Sequence, residues 1–213
     1  MNKIISTIIF AWICITQLLH AQDSTRKWSI AILPQHVIIS GLRLDLEKRF
    51  NNSIHAINIA NQLYLGKKND GREDLLGAGI EISHKVLIDK TKSKVEGSRA
   101  VDFFFSYGPA YHYFEFKYNS TGWINDEIDG TPIITRGTVV LTDDIHRFSF
   151  AFSPGIVAWM SSKAYIECSI GMGIRYSKIT QREKGKKYIN SFLDYGYTGL
   201  YPVVLVKAGF LLF

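Results

Sequence analysis

Cysteine is nearly missing from this chain. The 213 residues hold two, Cys14 and Cys168. Cys14 falls in an N-terminal leader, which leaves Cys168 alone and rules out a disulfide framework. Metal-ligand spacing is missing too. His36, His55, His84, His112 and His146 are scattered, and none belongs to an HExxH motif. They are read as surface or girdle histidines. There is no GxSxG and no His-x-Ser. His146 and Ser149 are three apart, so a strand would point them to opposite faces. His112 could share a face with Asp102 or Ser106, an arrangement that interior packing explains better than catalysis. The chain is therefore read as no enzyme, with no metal and no cofactor. After residue 21 no stretch reaches the roughly 20 apolar residues of a membrane helix, and none is amphipathic at helical spacing. Net charge is +6, enough to favour acidic surfaces such as lipid phosphates. In an exported chain it is no signal for nucleic acid.

The N-terminus supports export. Residues 1–21 place Lys3 before an apolar run from Ile4 to Leu19, with small Ala21 at its end. A charged start, a short apolar core and a small residue at the cut mark a secretory signal. Cys14 is preceded by Trp12 and Ile13, where a lipoprotein would need small residues. The expected division is a cleaved signal peptide over 1–21 and one domain over 22–213. Cleavage removes one lysine and no acid, so the formal charge falls from +6 to about +5.

What the chain has in abundance is alternation. In Lys163–Ser177, Ala164, Ile166, Cys168, Ile170, Met172, Ile174 and Tyr176 fall on one face. Tyr165, Glu167, Ser169, Gly171, Gly173, Arg175 and Ser177 fall on the other. A period of two means a strand. The same pattern predicts strands over 37–49, 54–65, 75–88, 101–118, 145–159 and 200–213, with a weaker one over 28–36 broken by Pro34. Asn61 shares a face with Ile57, Ile59, Leu63 and Leu65, which leaves room for a bulge. Residues 50–53 and 160–162 read as short turns, and 66–74, 89–100, 119–144 and 178–199 as longer connections. TPIITRGTVVL within 119–144 could extend neighbouring strands. Aromatic residues make up 13% of the chain, and Tyr111, Tyr113, Trp123, Trp159 and Tyr176 are candidates for interfacial girdles.

The leader, the alternating strands, the unequal connections, the terminal Phe213 and the segments GLRLDLEKRF and SIGMGIRYS resemble small Gram-negative outer-membrane β-barrels of the OmpA-type eight-stranded class. The likeness covers the whole mature chain and is one of pattern. It implies an all-β fold, an antiparallel up-and-down transmembrane β-barrel of eight strands. It also implies a monomer in the cell outer membrane, inserted by the outer-membrane machinery through its C-terminal strand, with both ends in the periplasm. A Phe213 facing lipid would carry Lys207 outward with it, at about 2–4 kcal/mol near the midplane. Val204, Val206, Ala208, Phe210 and Leu212 are therefore assigned to lipid and Lys207 to the interior.

That assignment gives a lumen charge network of Arg43, Asp45, Glu47, Glu81, Lys85, Asp102, Arg147, Glu167, Arg175 and Lys207. It holds five cations and five acids, able to pair among themselves. An eight-stranded interior is just filled by side chains, so no wide pore is expected. Outside, Lys178, Arg182, Lys184, Lys186 and Lys187 form a basic stretch suited to outer-membrane lipid, lipopolysaccharide phosphate in particular. The expected role is structural, lipid-contacting or adhesive, through the outer loops. The same alternation also fits a secreted soluble β-barrel, lipocalin-like, that binds a small apolar ligand with its Phe and Ile faces turned inward.

Overall fold

The structure, a computed structural model, describes residues 27–50, 54–68, 73–88, 101–128, 131–180 and 191–212. The leader, the 51–53 turn, the 89–100 connection and Phe213 lie outside the described residues, as do Arg182, Lys184, Lys186 and Lys187. Eight strands follow one another: β1 Lys27–Ile32, β2 Gly41–Arg49, β3 His55–Lys68, β4 Glu73–Leu87, β5 Val101–Ile128, β6 Thr131–Trp159, β7 Ala164–Thr180 and β8 Gly199–Leu211. Each pairs antiparallel with the next, and β8 returns to β1 through Ser29 opposite Leu211 and Ile32 opposite Ala208. The sheet is a closed barrel. Closure removes every edge along the barrel wall, so backbone donors and acceptors are paired where no water could serve them.

The period-two faces set which way each side chain points. Ile170 is 67% exposed and Met172 61%, while their neighbours Glu167 and Ser169 are buried. On β8, Val204, Val206 and Phe210 are outside and Lys207 is inside at 6%. Phe148, Phe150 and Phe152 also point outward. This excludes the lipocalin-like alternative, which needs the apolar faces around an internal ligand. The outer wall is instead a continuous apolar surface around a polar lumen, as a membrane-spanning barrel requires.

Four local expectations change. The 37–49 strand begins only at Gly41, because Pro34–Ile39 form a 3-10 turn after the six-residue β1. A proline at its first position suits that turn and lacks the N–H a strand would use. Gln35 fills the resulting gap in the wall. Its Nε2 donates to the Val204 carbonyl at 3.1 Å and its Oε1 accepts from the Val206 N–H at 3.1 Å, as a strand backbone would. Asn61 makes no bulge: it pairs in register with Leu44 and Ile80 and points outward. The 119–144 connection is strand almost throughout. β5 and β6 run on past their last pairings with β4 at Tyr118 and with β7 at Asp144. Beyond these, among the described residues, they pair only with each other, from Asn119 opposite Val140 to Ile128 opposite Thr131. Finally, Trp159 leaves the girdle set and turns inward against Tyr165 and Asp102, because it follows Val157 on the lumen side.

Two glycines mark where the wall is tightest. A Cβ at Gly171 would run into the Phe152 carbonyl, and one at Gly108 into the Ile82 carbonyl. Backbone cannot swing aside as a side chain can. Gly171→Ala should therefore cost about 1–3 kcal/mol, as overpacking does, read as a lower urea midpoint for unfolding from lipid. A midpoint equal to wild type would show that β6 and β7 can move apart freely.

Candidate functional site: the barrel lumen

The lumen is closed at each end by an apolar cluster and polar between them. Towards the strand ends nearest the chain termini, Leu87, Phe104, Val157 and Tyr165 pack together with Trp159. At the other end Tyr64, Leu75, Phe114, Phe116, Ile145 and Tyr195 do so. Tyr195 descends from the described part of the β7–β8 connection onto Phe114, with ring centroids 4.6 Å apart. Among the described residues the two clusters narrow the bore at either end.

Between them lies one continuous ion-pair network. Arg43 grips Asp45 through Nε at 2.7 Å and Nη2 at 3.2 Å, and reaches Glu81 through Nη1 at 2.7 Å. Lys207 joins Asp45 at 2.7 Å to Glu167 at 3.3 Å. Lys85 bridges Glu167 at 2.5 Å and Glu47. Arg49 completes the chain on Glu47 at 2.7 Å. Asn58 donates to Asp45 at 3.0 Å. Four carboxylates therefore meet four cations, and the set is neutral. Burial of this many charges is tolerable only with such reciprocal pairing.

Seven of the ten expected lumen charges belong to this network: Arg43, Asp45, Glu47, Glu81, Lys85, Glu167 and Lys207. Arg49 was missed, although it continues the Arg43, Asp45, Glu47 face by one more step of two. Asp102 stands apart at the end nearest the chain termini, where it accepts a hydrogen bond from the Trp159 indole at 2.8 Å. Arg147 and Arg175 face the lumen without a carboxylate partner among the described residues. Arg147 lies over the Phe114 ring at 4.6 Å, and Arg175 over Tyr201 at 4.2 Å. Arg175 also donates to the Phe192 carbonyl at 3.1 Å.

The histidines divide between the two faces. His36 and His112 are buried inside, against the expectation of surface positions. His112 Nε2 meets Gln62 Oε1 at 3.0 Å, and Tyr64 donates to the same oxygen at 2.5 Å. It touches neither Asp102 nor Ser106, so the one catalytic arrangement weighed from sequence does not form. His55 and His84 stack on the outer wall at 5.0 Å, with Tyr107 2.8 Å from His84 Nδ1. Tyr111 and Tyr113, from the girdle set, also lie on the outer wall, bonded to His146 at 2.9 Å and Asp144 at 2.8 Å. Trp123 and Tyr176 are exposed.

No family model and no curated protein matches the sequence. Among solved structures, the chain is similar to the N-terminal β-barrel domain of Pseudomonas aeruginosa OprF. Identity is 11% and the TM-score 0.41, over 89% of this chain and 99% of that one. It is also similar to Neisserial surface protein A, at 9% identity and TM-score 0.44, over 88% and 94%. A major outer membrane protein from Thermus thermophilus aligns at 10% identity and TM-score 0.49, over 87% and 99%. The membrane assignment rests on this chain's own geometry: eight antiparallel strands closed in sequence order, apolar outside and ion-paired within. The chain is an eight-stranded, up-and-down antiparallel β-barrel whose apolar exterior and ion-paired lumen suit a membrane.

Proposed function

We propose that this barrel is a non-enzymatic outer-membrane protein that works through what it holds above the membrane, in a lipid-contacting or adhesive role. The observation that carries this reading is the β5–β6 ribbon. About ten residues of each strand continue past the barrel rim, and at roughly 3.3 Å per residue they reach some 30 Å beyond it. Trp123 is 75% exposed on the ribbon, with Ile134 and Val140 exposed nearby. The barrel beneath holds an apolar cluster towards each end, which favours an anchor over a pore. The described ends of β1 and β8 meet at the opposite rim, where the Leu212 N–H donates to the Trp28 carbonyl at 2.8 Å. The short 160–163 turn lies at that rim too, and short turns face the periplasm in this class. The ribbon accordingly faces outward.

Lipopolysaccharide phosphate is the partner suggested by charge. Lys178 is exposed near the outer end of β7, and the remaining basic residues follow in sequence at Arg182, Lys184, Lys186 and Lys187. Replacing all five by Gln should leave the barrel folded and lower its binding to lipopolysaccharide-coated surfaces in low salt. The difference should shrink as salt screens the charges. Binding that is unchanged by the five substitutions would remove lipopolysaccharide as the partner. Trimming 121–138 to a tight turn should leave unfolding unchanged, since among the described residues they pair only with each other.

A further inference from the structure

We propose that the upper lumen is a binding site for a small anion carrying one carboxylate or phosphate group, held by Arg147 and Arg175. This goes beyond the surface role above and does not depend on it. The lower network is neutral on its own, so it has no acid to spare. Arg147 and Arg175 stand outside it with two positive charges and no ion pair among the described residues. Arg147 is 8% exposed, and its Nε has no hydrogen-bond partner. The Nε of Arg175 is likewise buried and unpartnered. Their ring contacts and the Phe192 carbonyl satisfy part of each guanidinium and neutralise neither. A buried cation without a counter-charge is costly, and each guanidinium has an unused Nε–H that a carboxylate or phosphate can accept.

There is room for such an ion. A cavity of about 260 Å³ opens between the lower network and the upper aromatic cluster, with both arginines in its wall. That is room for several waters or a small organic anion. His36, His112, Ser149 and Ser169 add polar groups to the wall, and Tyr201 offers a ring face. Nδ1 of His36 and of His112 are also without partners. Ser149 sits directly opposite Arg175 across β6 and β7.

The test uses the refolded full chain in neutral-detergent micelles and low-salt, chloride-free buffer, titrated calorimetrically with inorganic phosphate and with benzoate. At least one probe should bind saturably. Arg147→Gln and Arg175→Gln should each weaken it about tenfold or more, while Lys163→Gln, exposed in the turn at the opposite rim, should not. Ser149→Asp supplies an internal counter-ion in place of the probe. It should abolish binding and raise the thermal midpoint of the probe-free barrel. That variant keeps the test decisive if an arginine substitution fails to fold. No saturable binding of either probe up to about 10 mM would overturn the site, as would full binding in Ser149→Asp. Nanodiscs of phosphatidylglycerol in place of phosphatidylcholine should leave probe affinity unchanged. Probe displacement by the anionic lipid would show that the arginines meet headgroups, and would overturn a soluble ligand.

Discussion

Replacing Lys85 by Met should destabilise the barrel by about 3–5 kcal/mol, the cost of leaving a buried carboxylate without its partner. Lys85 is 1% exposed and holds Glu47 and Glu167 together. Without it, Glu47 keeps only Arg49, and Glu167 keeps only Lys207 at 3.3 Å. Methionine fills much the same volume, so the loss is one of charge and not of packing. The network would then hold one uncompensated negative charge. Adding Glu167→Gln removes that charge and should recover part of the loss. The coupling between the two substitutions, measured by urea unfolding from lipid vesicles, separates charge imbalance from simple disruption. If the double variant is as unstable as the sum of the singles, charge balance is not what the network supplies.

Ile170→Arg should cost about 2–4 kcal/mol, or block insertion outright, because it sets a cation against lipid near the middle of β7. Ile170 is paired with Val204, an exposed apolar residue on β8, so no neighbouring acid can receive the new charge. Ser169→Arg, one residue away, turns into the lumen and should be milder for solvation. It enters the polar lumen beside the cavity, so exposure to lipid plays no part in its cost. Folding yields into vesicles should therefore depend on lipid thickness for Ile170→Arg and not for Ser169→Arg. Equal yields for the two variants across lipids would mean that the assigned faces are wrong.

Much of this was legible along the chain, because a strand's period of two is local. Ile170 and Glu167 take opposite faces whatever their neighbours are, and Lys207 goes inside because lipid would not accept it. The same rule would have found Arg49 and turned Trp159 inward had the alternation been carried one step further at the strand ends. Gln35 could not be read this way. Its part in the wall depends on β1 stopping early and on β8 standing beside it, nearly 170 residues away.

By itself, the sequence determined the class of the fold, the strand faces and a lumen of mixed charge, since these follow from side-chain order and the cost of exposing charge to lipid. Closure and register belonged to the tertiary structure. They decided that Asp45 and Glu167 share Lys207, that Asp102 is held by an indole, and that 119–128 and 131–140 pair as a ribbon past the barrel's other described pairings. They also decided that Arg147 and Arg175 are left over beside a cavity. An equal count of acids and bases says nothing about which can touch. Ion pairing needs contact within a few ångströms, and only the closed barrel brings strands distant in sequence to that range.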